Sequence, residues 1–405
     1  MVITQNSQAW EQVIDESVDA NYQEMVDIRR HLHMHPEPSG EEFRTTQYLS
    51  ERLSDLDVQV TVPAQRRGLF VDVGDGAGRI GLRADIDGLR VSDQKSVPYC
   101  STVPGVMHAC GHDGHTATAY GALRALLDLR EKSAEWTVPC RVLFQPAEES
   151  NQGALEMVEA GATEGLTGLL GLHMDPSRWC GTIGIRPGTF TADCHELEIE
   201  VIGVGAHAAR PHEACDPIAA ACQLISSIFL FVPRSTDSQD PVVISFGQFN
   251  AGHSANAIPD KVVVRGTLRT LSEGISLNTI KHLERLARGV AEASGTKIAV
   301  RSTHGPPSVE NDVALTALIR SAANRVVGDE HVQVIARPSM GGEDFANYLK
   351  HVPGAMFRLG CAGEGMKAPP LHSPVFDIDE RSMAIGAKIL ARAAVGCYQE
   401  QLKRE

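Results

Sequence analysis

Apolar and polar positions along the chain switch repeatedly between a spacing near 3.6 and strict alternation, the signature of α/β architecture. Residues 8–56 read as helices broken at the turn His35-Pro36-Glu37-Pro38. A strand pair is expected over residues 59–73 and 79–82. Residues 114–129 are small or apolar almost all round, so they predict a buried helix. Residues 141–144 and 166–172 are short apolar runs suited to buried strands. From about Ala192 the character changes, and Leu197-Glu198-Ile199-Glu200-Val201 alternates as a half-exposed strand does. A helix over 217–231, strands over 242–249 and 261–270, a helix over 276–294 and a strand over 297–302 complete a β-α-β-β-α-β order. That order is a ferredoxin-like unit. The reading is therefore two domains: a mixed-sheet α/β/α domain over 1–192 and 306–405, and an inserted α+β domain over 193–305.

Length agrees with two domains, because 405 residues exceed the roughly 250–300 that one core usually serves. A 42% apolar and 22% charged composition is that of an ordinary globular protein. The net charge of −14 argues against a nucleic-acid partner, which calls for a basic face. The polar, acidic N-terminus does not resemble a signal peptide, and no run of about 20 apolar residues predicts a membrane span. Nine scattered cysteines fit reduced thiols and a cytoplasmic location.

Possible metal donors recur just after apolar strands: Asp85 and Asp87 after 79–83, Glu148 and Glu149 after 141–144, His173 after 169–172, and His372 beyond 356–359. In open α/β sheets, sites form outside the carboxyl ends of strands. The densest cluster is Met107-His108-Ala109-Cys110-Gly111-His112-Asp113-Gly114-His115. Thiolate, imidazole and carboxylate are the donors that Zn²⁺ and neighbouring transition ions accept. A lone cysteine or histidine is more often a packed residue, but this cluster together with the strand-end donors favours metal. Glu148-Glu149 in isolation suits a solvated turn; beside a metal, one carboxylate can bind the ion while the other takes a proton from water.

These residues lie in motifs that span nearly the whole chain: RRHLHMHPEPSGEEFRT, LRADIDGL, MHACGHDGHTA, FQPAEE, GLHMDP, GVGAHAARPHEACDPI, SANAIPD, GTLRT, SMGGEDF and LHSPVFDIDE. In this order they resemble the aminoacylase, hippurate hydrolase and indole-acetyl-amino-acid hydrolase branch of the dinuclear carboxypeptidase-G-like metallopeptidases. The resemblance implies two divalent ions (Zn, Mn, Co or Ni) held by Cys110, His112, Glu149, His173 and His372, with Cys110 as the bridge. It implies Glu148 as general base and then acid. The inserted domain becomes a lid that also forms homodimers or larger homo-oligomers, with His207 supporting the oxyanion and Asn256 and Arg269 contacting substrate. The expected activity is hydrolysis of small N-acyl amino acids; a dipeptidase or carboxypeptidase using the same centre, and a non-catalytic binding or assembly protein, are the alternatives.

Other branches of the wider clan place His-x-Asp at the first strand end, where this chain has Arg83-Ala84-Asp85. Asp85 is expected either to orient a ligand imidazole or to cap nearby backbone. His31, His33 and His35 are expected to pack at the N-terminus, since alternate helical positions share no face. His108, His115 and His212 are candidate neighbours of the ligands. Asp344 is expected to cap the helix after it, with Glu343 left open.

Overall fold

The computed structural model describes residues 7–74, 78–365 and 369–403. The chain divides into two units. The first takes the chain through Gly188, Glu310–Ala336 and the residues from Asn347; the second takes Thr189–Val309 and Arg337–Ala346. The sequence reading placed the boundaries at 192/193 and 305/306 and gave 337–346 to the first domain. Residues 337–346 instead join the second unit through contacts that hydrophobic patterning does not display: Ser339 N–H donates to Phe190 O, and Arg269 Nη1 to Met340 O.

The first unit is built on an eight-stranded mixed sheet, ordered Gln59–Thr61, Leu69–Val73, Cys140–Gln145, Arg79–Asp85, Leu166–Trp179, Gly354–Ala362, Ile183–Ile185, Val332–Val334. Its four central strands run parallel to one another. Their apolar residues are buried on both faces, which is why they read as short continuous apolar runs. Residues 59–73 form two antiparallel strands, Gln59 opposite Asp72, where one strand was expected. The break falls at Pro63, Arg66 and Gly68, the last two at φ 59° and 68°. The helix expected over 114–129 runs His112–Lys132 and is buried almost all round, packed with the helices Ser7–Ala20, Tyr22–Met34 and Arg381–Leu402.

The second unit has strands Asp193–Ile202, Val243–Ala251, Lys261–Thr270 and Lys297–His304 with helices Pro217–Ser235 and Glu273–Ser294. The sheet is antiparallel in the order Val243–Ala251, Lys261–Thr270, Asp193–Ile202, Lys297–His304, the ferredoxin-like arrangement. Leu197, Ile199 and Val201 form its core with Leu224, Ile228, Leu283 and Ala287. Among the described residues, Pro217–Ser235 is the one helix long and apolar enough to cross a membrane. Its Ala220, Ala221, Leu224, Ile228 and Val232 nevertheless pack into this core, while Phe229, Leu230 and Phe231 are exposed.

Candidate metal centre

The first unit assembles the donors through two turns and a helix start. Beyond Asp85 the chain passes Asp87 and returns, with Leu89 and Met107 exchanging backbone hydrogen bonds of 2.9 and 3.0 Å. That zipper leads directly to Cys110. Gly111 follows at φ 89° and forms the N-cap of the helix His112–Lys132. A side chain there would both strain the backbone and press on Met174, 3.1 Å from the Cβ position. The first helical turn delivers His112 and His115. On the neighbouring strands, Arg83 pairs with Gly171, so Asp85 and His173, each two residues on, reach the same level of the sheet.

Glu148 and Glu149 sit in a turn bounded by Ala147 at φ 52° and Asn151 at φ 58°. Glu42 Oε1 accepts the Ala147 N–H at 2.8 Å, and Asn151 N–H returns to Glu148 O at 2.8 Å. The turn is therefore fixed from both ends. His372, also at positive φ (65°), donates its N–H to Ala109 O.

The structure brings together all five expected ligands and Glu148. Cys110, His112 and His173 offer ligand atoms within 4.8 Å of one another, and so do Cys110, Glu149 and His372. The two groups share Cys110. Cys110 Sγ lies 3.5 Å from His173 Nε2, and His372 Nε2 lies 3.2 Å from Glu149 Oε1. His112 Nε2 is 3.9 Å from both Glu148 Oε2 and Glu149 Oε1.

Hydrogen bonding fixes which ring nitrogens carry protons. His173 Nδ1 faces Met174 O at 2.7 Å, and a carbonyl only accepts, so Nδ1 is the protonated nitrogen and Nε2 presents a lone pair. His112 Nδ1 faces two acceptors, Asp87 O at 2.9 Å and Asp87 Oδ1 at 3.0 Å, with the same consequence. His112 Nε2 is then a buried lone pair without a hydrogen-bond partner, turned toward Asp85 Oδ2 at 3.7 Å and the two glutamates.

Proton affinity differs from donor to donor. Burial, then Glu149, pushes the Cys110 thiol up to about 12. Burial also drives His173 well below the usual imidazole range, toward the neutral ligand form. Burial disfavours the His112 cation, but Asp85 and Cys110 outweigh it and the net shift is upward. For His372 the hydrogen bond it donates to Glu149 raises the pKa. Converging lone pairs, carboxylates and a thiol need positive charge between them. The donor set fits divalent transition ions.

The residue that holds His112 is Asp87. Asp85, expected to orient a ligand imidazole, instead accepts from His115 Nδ1 at 2.6 Å and from Arg83 Nη1 at 2.7 Å. His115 Nε2 in turn accepts the Met174 N–H at 2.8 Å, bracing the strand that bears His173. Asp87 ranked equally with Asp85 as a strand-end carboxylate in the sequence, and no spacing separates their roles.

His33 is more than a packing residue. It is fully buried; its Nδ1 lies 2.7 Å from Asp113 Oδ2, and Arg29 Nε donates to the same oxygen at 2.8 Å. The helix Tyr22–Met34 thus anchors the residue next to His112. His31 does pack, stacked on Tyr48 at 3.8 Å. His108 is buried with no hydrogen-bond partner at either nitrogen.

His207, Asn256 and Arg269 belong to the second unit. His207 pairs with Ala257 on a two-stranded ribbon and accepts the Ala209 N–H at 3.0 Å; Asn256 O accepts from Ala208 N–H. Arg269 lies on the sheet strand bonded to Met340 O. His212 is exposed in this unit. Beside Asp344, Glu343 Oε1 accepts the Phe345 N–H at 3.1 Å.

The N-acetyl-L-cysteine deacetylase of Bacillus subtilis is 38% identical over 92% of this chain and 87% of its own length. The IAA-amino acid hydrolase ILR1-like 4 of Arabidopsis thaliana is 34% identical over 91% and 84%. The crystal structure of a Bacillus subtilis protein described as a dinuclear metal-binding peptidase of the M20 family superimposes with a TM-score of 0.80 at 33% identity, covering 94% of this chain and 99% of that one. The family model matches residues 81–395, from the strand that ends in Asp85 to the last helix, and the chain belongs to peptidase family M20/M25/M40.

Proposed function

We propose that the protein is an amidohydrolase that cleaves small N-acyl amino acids to a carboxylic acid and an amino acid. The observation that carries this is the pair of donor groups meeting at Cys110, with Glu148 beside them. Cys110, His112, Glu149, His173 and His372 would hold two divalent ions. Such ions polarise a carbonyl and lower the pKa of water from 15.7 to about 7 in the case of zinc.

The chain's own groups do the rest. Glu148, buried and level with Glu149 at His112, takes the proton of the attacking water and returns it to the departing amine. Asp87 keeps His112 Nε2 aimed inward. His207 of the lid supports the developing oxyanion, and Asn256 and Arg269 hold the substrate. The named activities of the two relatives, on N-acetyl-L-cysteine and IAA-amino acids, favour an acyl-amino acid over a dipeptide.

Homodimerisation through the lid is part of this proposal. The strand Val243–Ala251 is an edge of its sheet and exposes Val243 and Phe249, and Phe229, Leu230 and Phe231 are exposed on the helix Pro217–Ser235. A cytoplasmic location accords with nine free cysteines.

The test is a panel of N-acetyl, N-benzoyl and N-indoleacetyl amino acids and free dipeptides, offered to chelator-stripped protein and to protein reloaded with Zn²⁺, Mn²⁺, Co²⁺ or Ni²⁺. Hydrolysis of acyl amino acids only after reloading is expected. Preference for dipeptides, or full turnover in stripped protein, overturns the reading.

A further inference from the structure

The second unit contains a cluster of metal-binding side chains that shares no residue with the centre at Cys110. Asp193 and His195 lie two positions apart on the strand Asp193–Ile202, both on its buried face. His304 stands directly across from His195 on the neighbouring strand. The two rings stack with centroids 4.5 Å apart, and both turn Nε2 toward Asp193. His304 Nε2 lies 2.8 Å from Asp193 Oδ1, and His195 Nε2 lies 3.3 Å from Asp193 Oδ2. One ligand atom from each of the three lies within 4.8 Å of the others.

The state of His195 distinguishes this cluster from a polar end to the lid core. Its side chain is 5% exposed, and its Nδ1 is occupied by Ser302 Oγ at 3.0 Å. Its Nε2 is buried and lies 3.3 Å from Asp193 Oδ2 without the alignment of a hydrogen bond. Asp193 Oδ2 already accepts from Ser276 Oγ at 2.5 Å. A buried nitrogen aimed at a carboxylate without a hydrogen bond between them is the arrangement that a shared cation satisfies. A metal-bound imidazole usually donates its other ring N–H to a neighbouring oxygen, the position Ser302 Oγ takes here.

We infer that Asp193, His195 and His304 form an additional divalent-cation site in the lid. Two imidazoles and one carboxylate suit Zn²⁺, Co²⁺ or Ni²⁺ and leave a fourth position to solvent. His304, 37% exposed, opens that position to solution. The ion clips the start of one strand to the end of its neighbour. Through Ser276 the carboxylate also reaches the first turn of the helix Glu273–Ser294.

Elemental analysis of stripped protein dialysed against buffered Zn²⁺ tests the site. Wild type should retain one more equivalent per chain than His304→Ala, with the variant's hydrolytic activity unchanged. Equal stoichiometry overturns the site. Because a variant at this position can disturb the sheet, zinc-soaked crystals of the wild-type protein give an independent readout. An anomalous peak among Asp193, His195 and His304 is expected, and its absence beside an occupied Cys110 centre overturns the inference while leaving the proposed activity intact.

Discussion

Asp87 holds His112 and Glu149 with the two oxygens of one carboxylate. Oδ1 meets His112 Nδ1 at 3.0 Å, and Oδ2 accepts the Glu149 N–H at 3.0 Å together with the Ser39 hydroxyl at 2.6 Å. One side chain therefore sets both a ring orientation and the position of the carboxylate turn. Asp87→Ala should lower metal affinity by about 10–100-fold, read by titration with Zn²⁺ against a competing chelator. Unaltered affinity would mean that the helix start alone orients His112.

Glu148→Gln removes the proton acceptor and leaves the five ligands in place. Metal content should stay at the wild-type level while kcat falls by about 10²–10⁴-fold. Elemental analysis and steady-state assay of the same preparation check this. Near-normal turnover would remove Glu148 from the role of base.

Gly153→Ala tests how tightly the carboxylate turn is built. A Cβ at this position would lie 1.5 Å from Pro146 O, so the backbone from 146 to 153 has to move. Displacing a reacting group by about 1 Å can cost on the order of 10²-fold in rate. A drop of that size in kcat/KM, together with a lower melting temperature, is expected; a variant with wild-type kinetics would show that the turn tolerates displacement.

Arg29 is fully buried among Asp113, Asp377 and Glu380, at 2.8, 2.5 and 3.2 Å. Burial opposes its charge, but these carboxylates outweigh burial and hold it protonated. Arg29→Met removes the buried cation that these three carboxylates share and should destabilise the fold by about 3–5 kcal/mol. Urea denaturation measures the loss, and a change below about 1 kcal/mol would show that the acids protonate or hydrate without cost.

Burial, reinforced by Asp87, raises the Glu42 carboxyl from 4.5 to about 7. Between those values the native carboxyl keeps a proton that the unfolded chain has released. The native state binds more protons there, so stability falls as pH rises from about 4.5 to about 7 and levels off above. The contribution is on the order of 3 kcal/mol. Glu42→Gln keeps an acceptor for the Gly40 and Ala147 N–H groups and should flatten this part of the profile. Parallel unfolding curves from pH 4.5 to 8 compare the two; identical slopes would exclude Glu42 as their source.

By itself the sequence determined the α/β pattern and the ferredoxin-like insertion, and the family resemblance of its motifs singled out the candidate metal donors. Periodicity is local and reports which faces are apolar, and ordered motifs carry a family resemblance without any coordinates. Tertiary structure decided what the donors do for one another. Asp85 and Asp87 are two residues apart and chemically the same, yet only their partners, His115 and His112, assign them different work. His33 meets Asp113 across 80 positions. Likewise, residues 337–346 join the second unit through hydrogen bonds with Phe190, Ala192 and Arg269. Hydrogen bonds between distant residues depend on where the packed backbone leaves their atoms, and hydrophobic period carries no record of that.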